Sequence, residues 1–419
     1  MRILHLTDLY PPNIGGLERH VEGLARERID RGHDIGVVTI STTGEPSVDI
    51  DGKGFLIHRV RSGAALVKRA HESLEKPYHP PFPDPLVARQ ISRIISEFRP
   101  DVVQAHNWIA YSYLVFKTKK HPPLVWTQHD YGLECPKRTL VYWRNGEPCP
   151  GASFGHCLPC ASDEYGRLKG SPITLGHRVT GRVLNQRIDM VIAVSTFVAR
   201  SAERAVGIPL PVRVVPTFVS NDLVREADST PRPGFLPKED GFILYVGSLG
   251  RHKGTHDLID AYRRIVNPPP MVVLGTPNSS QPREWPIGVT VVENVPHNQV
   301  MASWARCAIG VVPSQWPEPF GQVAIEAATM GKAIVATRIG GLVDIVEDGR
   351  TGLMVPPSDP ISLSKGMERL LLDPSYAQIL GENARKRSAR FTVGVVAVQL
   401  DELMAEVAEQ HAKRNRTQS

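Results

Sequence analysis

The chain has 419 residues, 41% of them hydrophobic and 22% charged, with 49 Lys+Arg against 43 Asp+Glu for a net charge of +6. That is enough chain for two domains that each bury a core, and the balance excludes a disordered or fibrous protein. The positive excess is too small to argue for a nucleic-acid partner, and neither zinc-finger spacing nor a long basic arm supports one.

The N-terminus, MRILHLTDLYPP, reads as a strand that begins at once, without the basic region, apolar stretch and cleavage site of a signal peptide. A cytoplasmic chain is expected. Short runs rich in β-branched residues then recur at 2–7, 34–41, 101–106, 123–129, 189–195 and 212–217. Between them lie helical patterns such as LERHVEGLARERIDRG (17–32), which carries the 3.6-residue period and stops on Gly32. From Gly241 the alternation restarts with FILYVGS, MVVLGT, VTVVEN, CAIGVVPS, AIVAT and GLMVP.

Strand, helix, strand predicts parallel sheets with right-handed crossovers. The fold class expected is therefore α/β, with two Rossmann-like doubly wound parallel-sheet domains in tandem. Prolines in IPLPVRVVP place the boundary near 208–216, taken at 210, with the Pro-rich 228–240 as the other candidate. This divides the chain into 1–210, 211–395, and a last helix at 396–419 that packs back on the first domain and ends in a polar tail.

Ligands of open parallel sheets bind at the carboxyl ends of the strands, so the motifs there carry the chemistry. After the first strand, Gly15 and Gly16 precede a helix whose N-terminus could hold an anion, or they form a plain tight turn. The pattern is neither G-x-G-x-x-G nor a P-loop, which disfavours a dehydrogenase or an NTPase. In YVGSLGRHKGTHDLIDAY, Arg251 and Lys253 sit between Gly250 and Gly254, where two cations could neutralise a diphosphate; a solvated basic turn is the alternative. Gly340 and Gly341 form a further turn, suited to a phosphate or to packing.

The segment PSQWPEPFGQVAIEAATMG places Glu318 and Glu326 eight positions apart. Pro317 and Pro319 keep Glu318 in an extended loop, Phe320 and Gly321 allow a ligand close approach, and Glu326 lies inside the following helix, where its carboxylate could accept a ribose diol. Alone, each acid could be a helix-dipole partner or an exposed helix residue.

Taken together, NIGGLERHVEGLARERIDRGHDIGVVT, VGSLGRHKG and the Glu318–Glu326 segment with its flanks resemble the retaining family 4 glycosyltransferases of GT-B fold, over roughly residues 1–395. The resemblance implies two domains facing a cleft, a nucleotide-diphosphate sugar bound by the second, a hydroxyl acceptor (glycan, lipid-linked or small molecule) bound mainly by the first, and no metal or other cofactor for transfer. It implies Glu318 at the donor sugar, Glu326 at the ribose, and Arg251 and Lys253 at the diphosphate, although Ser248 stands where the family usually has an arginine. It also implies His129, at the end of WTQH, beside the donor sugar as a catalytic-site residue; His106, in VVQAH, likewise ends a strand and could line the acceptor side or play a structural role. The leaving diphosphate, assisted by these groups, would guide the acceptor to the same face.

Cys135, Cys149, Cys157 and Cys160 are separated by thirteen, seven and two residues in a Pro- and Gly-rich stretch. In a cytoplasmic chain this suggests a structural zinc site, with His156 as a further ligand, while free thiols or a redox pair remain open. The basic stretch 56–71 could touch a membrane surface peripherally, or be a solvated face. A non-catalytic nucleotide-sugar-binding protein or a GT-B phosphorylase are the competing readings; the latter requires a pyridoxal phosphate lysine.

Overall fold

A computed structural model describes residues 1–12, 15–42, 45–63, 79–142, 148–149, 151–206 and 210–416. The chain forms two compact units, Met1–Pro216 with Val396–Ser419, and Thr217–Val395. No helix among the described residues is long and apolar enough to cross a membrane. Residues 64–71, the second half of the basic stretch tied to membrane contact, lie outside the described residues.

The first unit is built on eight strands: β1 Arg2–Thr7, β2 Asp34–Ile40, β3 Val48–Ile50, β4 Leu56–Val60, β5 Val102–Ala105, β6 Leu124–Gln128, β7 Met190–Ala193 and β8 Val212–Val214. Their order is β3-β4-β2-β1-β5-β6-β7-β8, parallel throughout except for β3 against β4. Helices cover both faces of such a sheet, so its central strands read as unbroken apolar runs. Leu4, Val37, Val103, Val125 and Val191 are all fully buried.

The helix Pro85–Phe98 shows how the layer is held. Asp84 caps it by accepting hydrogen bonds from the amides of Leu86 and Val87, and Pro85 occupies the first turn, where no amide is needed. Val87, Ile91, Ile94 and Ile95 then fall on one buried face; each such side chain contributes roughly 1.5–3 kcal/mol. An Asp84→Ala change removes the cap and costs about 1 kcal/mol.

Two differences from the sequence reading concern edges. β3 and β4 were not expected as strands: β3 leaves Val48 and Ile50 half exposed or more, and in β4 the buried Ile57 and Val60 are separated by His58 and Arg59. β8 pairs with β7 and so belongs to the first sheet, which moves the crossing between units to Pro216–Thr217 rather than 210. Pro211 precedes this edge strand, and Pro216 stands at the crossing.

The second unit carries β9 Ile243–Ser248, β10 Met271–Thr276, β11 Val289–Glu293, β12 Ile309–Val312, β13 Ile334–Thr337 and β14 Leu353–Val355. They form one all-parallel sheet in the order β11-β10-β9-β12-β13-β14. In both sheets the order reverses once, between β1 and β5 and between β9 and β12. A doubly wound sheet opens a ligand crevice at such a point. The last helix, Val393–Arg416, is tied to the first unit through Asp401, which accepts hydrogen bonds from Arg28 and Arg31.

Candidate active site

In the second unit, the loops after β9 and β12 meet at the reversal. Gly254 makes this approach possible: its φ is +75° and a Cβ there would lie 1.8 Å from the Pro313 carbonyl oxygen, a contact no other residue could accept. The turn Arg251–Lys253 is thereby pressed against the start of the 313–321 loop. Lys253 Nζ then donates a 2.6 Å hydrogen bond to Glu318 Oε1, which also accepts one of 2.6 Å from Ser314 Oγ. The ammonium lies 4.9 Å from the centre of the Trp316 ring, a cation–π distance.

Glu318 is buried. Burial alone would push its carboxyl up, but the Lys253 charge and the hydrogen bonds from Lys253 and Ser314 more than offset this and hold it below its ordinary value. It is therefore an anion at neutral pH. Arg251, by contrast, has an exposed side chain that makes no ion pair with any described residue. Only one of the two cations read from the sequence is thus joined to the acid.

Gly340 and Gly341 pack under the same loop. The Gly341 amide donates 2.7 Å to the Glu318 carbonyl, and a Cβ on Gly340, at φ +56°, would come within 2.3 Å of that oxygen. This turn therefore fixes the backbone of Glu318, and its Gly341 amide is already used. Phe320 and Gly321 have similar internal duties. The Phe320 ring is buried against Phe391, and Gly321 has positive φ under Leu342. The Phe320 side chain faces the core, so it is not available to a ligand as the sequence reading supposed.

Glu326 is buried in the helix Gln322–Thr329 and its Oε1 lies 3.0 Å from His297 Nε2. On its other side His297 Nδ1 is 3.9 Å from Glu226. No sequence motif flagged His297; it starts the helix His297–Arg306 and meets Glu326 only through packing. Ser314 and Trp316, also unflagged, stand inside the quoted Glu318 segment.

In the first unit, Gly15 is the N-cap of the helix Gly16–Asp30, and a Cβ there would strike the Glu18 carboxylate, whereas Gly16 has open space. The reversal between β1 and β5 is densely polar. Thr7 Oγ1 and the Asp8 amide both donate to Asn107 Oδ1 at 3.2 Å, and Asp8 Oδ1 accepts from the Ile109 amide. Burial pushes Asp8 up to about 7, against the pull of the Arg138 charge.

Beside it four histidines gather. His5 Nδ1 lies 3.0 Å from His106 Nε2, and His106 Nδ1 lies 3.0 Å from His129 Nε2. His20 stands edge-on to His129 at 4.7 Å between ring centres. Burial drives His5, His20 and His106 well below the ordinary histidine range, and burial with the Arg138 charge takes His129 down to about 3. His106 is only 2% exposed, so it lies beneath His129 and does not line a surface, which corrects its placement on the acceptor side. His5, His20 and Arg28 had no motif to announce them: His5 is a polar residue in an apolar strand, and His20 and Arg28 share a buried helix face with Val21, Leu24 and Ala25.

The cysteines form no disulfide. The Cys157 thiol is pushed up to about 11, by burial first and in part by the neighbouring Cys135, Cys149 and Cys160. They are neighbours, yet among the described residues the one set of three side chains with all ligand atoms within 4.8 Å of each other is His20, His106 and His129. The cysteines as placed do not form a tetrahedral cage.

Two all-but-parallel doubly wound sheets, each with charged and polar groups packed at its strand-order reversal, define a GT-B glycosyltransferase fold. The chain belongs to glycosyltransferase family 4: residues 14–223 match the Glycosyltransferase Family 4 profile, and residues 227–387 match Glycosyl transferases group 1. It is similar to glycogen synthase of Mycobacterium tuberculosis, at 27% identity over 92% of this chain and 90% of that one. It is also similar to D-inositol 3-phosphate glycosyltransferase 2 of Catenulispora acidiphila, at 28% over 93% and 90%. Among solved structures, sucrose-phosphate synthase of Thermosynechococcus elongatus shares the fold with a TM-score of 0.73, 20% identity and coverage of 97% and 99%. Anabaena HepE in complex with UDP-glucose does so with a TM-score of 0.63, 20% identity and coverage of 97% and 100%. The protein is a glycosyltransferase.

Proposed function

We propose that this enzyme moves a hexose-type sugar from a nucleotide-diphosphate sugar to a hydroxyl acceptor with retention of anomeric configuration. The observation that carries the reading is the 2.6 Å Lys253–Glu318 pair at the reversal of the second sheet, its carboxylate buried and its partly exposed ammonium beside Trp316. Cleavage of the sugar–phosphate bond leaves negative charge on the diphosphate and positive charge on the sugar. A cation and an anion held side by side match that separation, Lys253 with Arg251 toward the diphosphate and Glu318 toward the sugar. In this reading Lys253 exchanges part of its contact with Glu318 for phosphate when donor binds.

Glu326, fixed by His297, would accept the ribose hydroxyls, and the exposed Arg251 is free to swing onto the diphosphate. His129 would donate to a sugar hydroxyl; with its ring held neutral, general-base work is not assigned to it. The relatives' names support the donor class: HepE was solved with UDP-glucose, and glycogen synthase and sucrose-phosphate synthase are named for glycosyl transfer products. Those products differ, so the acceptor is stated only as a hydroxyl.

The test is product analysis: incubation with nucleotide sugars and candidate hydroxyl acceptors, with the anomeric configuration of the product read by NMR. An axial donor giving an axial glycoside supports retention. An inverted product overturns it.

A further inference from the structure

We infer that Arg28 sets the tautomer of His129 through His5 and His106, so that His129 meets its ligand as a neutral ring carrying its proton on Nδ1. This deepens the proposed function and rests on it only for what His129 touches.

The direction of the hydrogen bonds follows from one fact of chemistry: a guanidinium donates and never accepts. Arg28 is fully buried. Its Nε donates to Asp401 Oδ1 at 2.8 Å, while Nη1 lies 2.6 Å from Gln104 Oε1 and 3.2 Å from His5 Nε2. Gln104 is itself oriented, because its Nε2 donates to Thr127 Oγ1 at 2.8 Å. Both hydrogens of Nη1 therefore have acceptors, and His5 Nε2 must be one of them.

A neutral ring that accepts on one nitrogen carries its proton on the other. His5 thus donates from Nδ1 to His106 Nε2, His106 donates from Nδ1 to His129 Nε2, and His129 is left with its proton on Nδ1. That nitrogen makes no hydrogen bond to any described residue. The line runs from the interior to the surface, His5 being fully buried, His106 2% exposed and His129 only half-buried.

The same polarity decides against a metal held by His20, His106 and His129, whose nitrogens lie within 4.8 Å of one another. A metal on His106 Nδ1 would put the His106 proton on Nε2. That proton would turn His5 round and set its Nε2 proton against Arg28 Nη1, donor against donor at 3.2 Å. Protonating His129 on Nε2 meets the same obstacle. The arrangement holds His129 as a donor, and a neutral one, which suits a group beside a sugar that is gaining positive charge.

His5, His106 and Arg28 are accordingly positioning residues. The test is a two-bond proton–nitrogen NMR spectrum of the full-length protein with 15N-labelled histidine at pH 7.5 and no ligand, the His129 signals being identified by their loss in His129→Gln. We expect a protonated Nδ1 and an unprotonated Nε2. In His5→Leu the donor to His106 is gone and the Nε2–H form of His129 should grow, with turnover falling roughly tenfold to hundredfold, the worth of one hydrogen bond to the reacting sugar. His5→Gln, whose amide accepts from Arg28 and donates to His106, should bring back the wild-type tautomer.

A wild-type His129 with its proton on Nε2, or doubly protonated, overturns the inference whatever the variants do. So does a zinc titration in which the His20, His106 and His129 signals shift together at one equivalent. Because the spectrum needs no substrate, an Nδ1–H ring in an enzyme that consumes no sugar nucleotide would sink the proposed function and leave the relay standing, and the converse result would do the reverse.

Discussion

Lys253 and Glu318, sixty-five positions apart in the chain, share a 2.6 Å hydrogen bond at the point where the second sheet reverses its strand order. Glu318 is buried, while about a quarter of the Lys253 side chain is exposed. Removing the cation therefore strands a carboxylate in low dielectric, whereas removing the carboxylate only frees a partly hydrated ammonium. The two deletions should behave differently.

Lys253→Ala is expected to lower stability by roughly 2–4 kcal/mol, somewhat below the cost of breaking a fully buried pair, and to lower turnover by about a hundredfold or more. Glu318→Gln should lose turnover to a similar degree but keep or tighten its affinity for nucleoside diphosphate, because Lys253 loses its competing partner. Denaturant unfolding and calorimetry with the diphosphate check both. Weaker diphosphate binding in Glu318→Gln would contradict the assignment.

The reach of sequence reading can be judged at these residues. Glu318 and Glu326 were legible because both stand in one short segment whose prolines and helix start dictate local geometry. The strands were legible where helices bury both faces, as at β1 and β12, and illegible at β3, where two exposed side chains leave no pattern. His297 meets Glu326 across twenty-nine positions, and the histidine line joins residues 5, 106 and 129 to Arg28. Such pairings are made by sheet order and register, which no local spacing encodes. The cysteines mark the middle case: their crowding was visible, the arrangement of their thiols was not.

Stability should fall on mild acidification. His5, His20, His79, His106 and His129 all have their protonation pushed below the usual histidine range by burial, His79 to about 4 and His129 to about 3. Between pH 6.5 and those values the unfolded chain binds protons that the native state refuses, so stability drops as pH drops. Asp8, raised to about 7, acts oppositely in this window, since its native state holds a proton that the unfolded chain has lost; the buried histidines outnumber it and leave the direction unchanged. The expected loss between pH 7.5 and 5.5 is on the order of 5 kcal/mol, measured as a shift of the urea midpoint. A midpoint that stays put would contradict the neutral, buried histidines.

Asp401 anchors the last helix to the first unit by accepting from Arg28 Nε and Arg31 Nε at 2.8 Å each, with His33 Nε2 at 3.2 Å. Asp401→Ala leaves the Arg28 cation buried and unpaired on that side. It should cost about 3–5 kcal/mol, read by urea unfolding of the intact chain. A cost under about 1 kcal/mol would show that the pair does not hold the helix.

The four clustered cysteines give a separate prediction. A structural zinc at Cys135, Cys149, Cys157 and Cys160 is proposed from their spacing in the sequence and requires these thiols to move into a cage that they do not form as placed. Protein purified without chelator should then carry about one zinc per chain, lost together in Cys157→Ser and Cys160→Ser. Metal well below one equivalent, unchanged by either substitution, would leave them as thiols.

The central claim is best tested by calorimetric titration with UDP-, GDP-, ADP- and TDP-sugars, repeated on Glu326→Gln. The account predicts that a sugar nucleotide binds the wild-type enzyme, and that its affinity weakens by roughly tenfold or more when Glu326 loses its charge, the worth of a charged hydrogen bond to the ribose. Binding of no sugar nucleotide, or binding that Glu326→Gln leaves untouched, would contradict it.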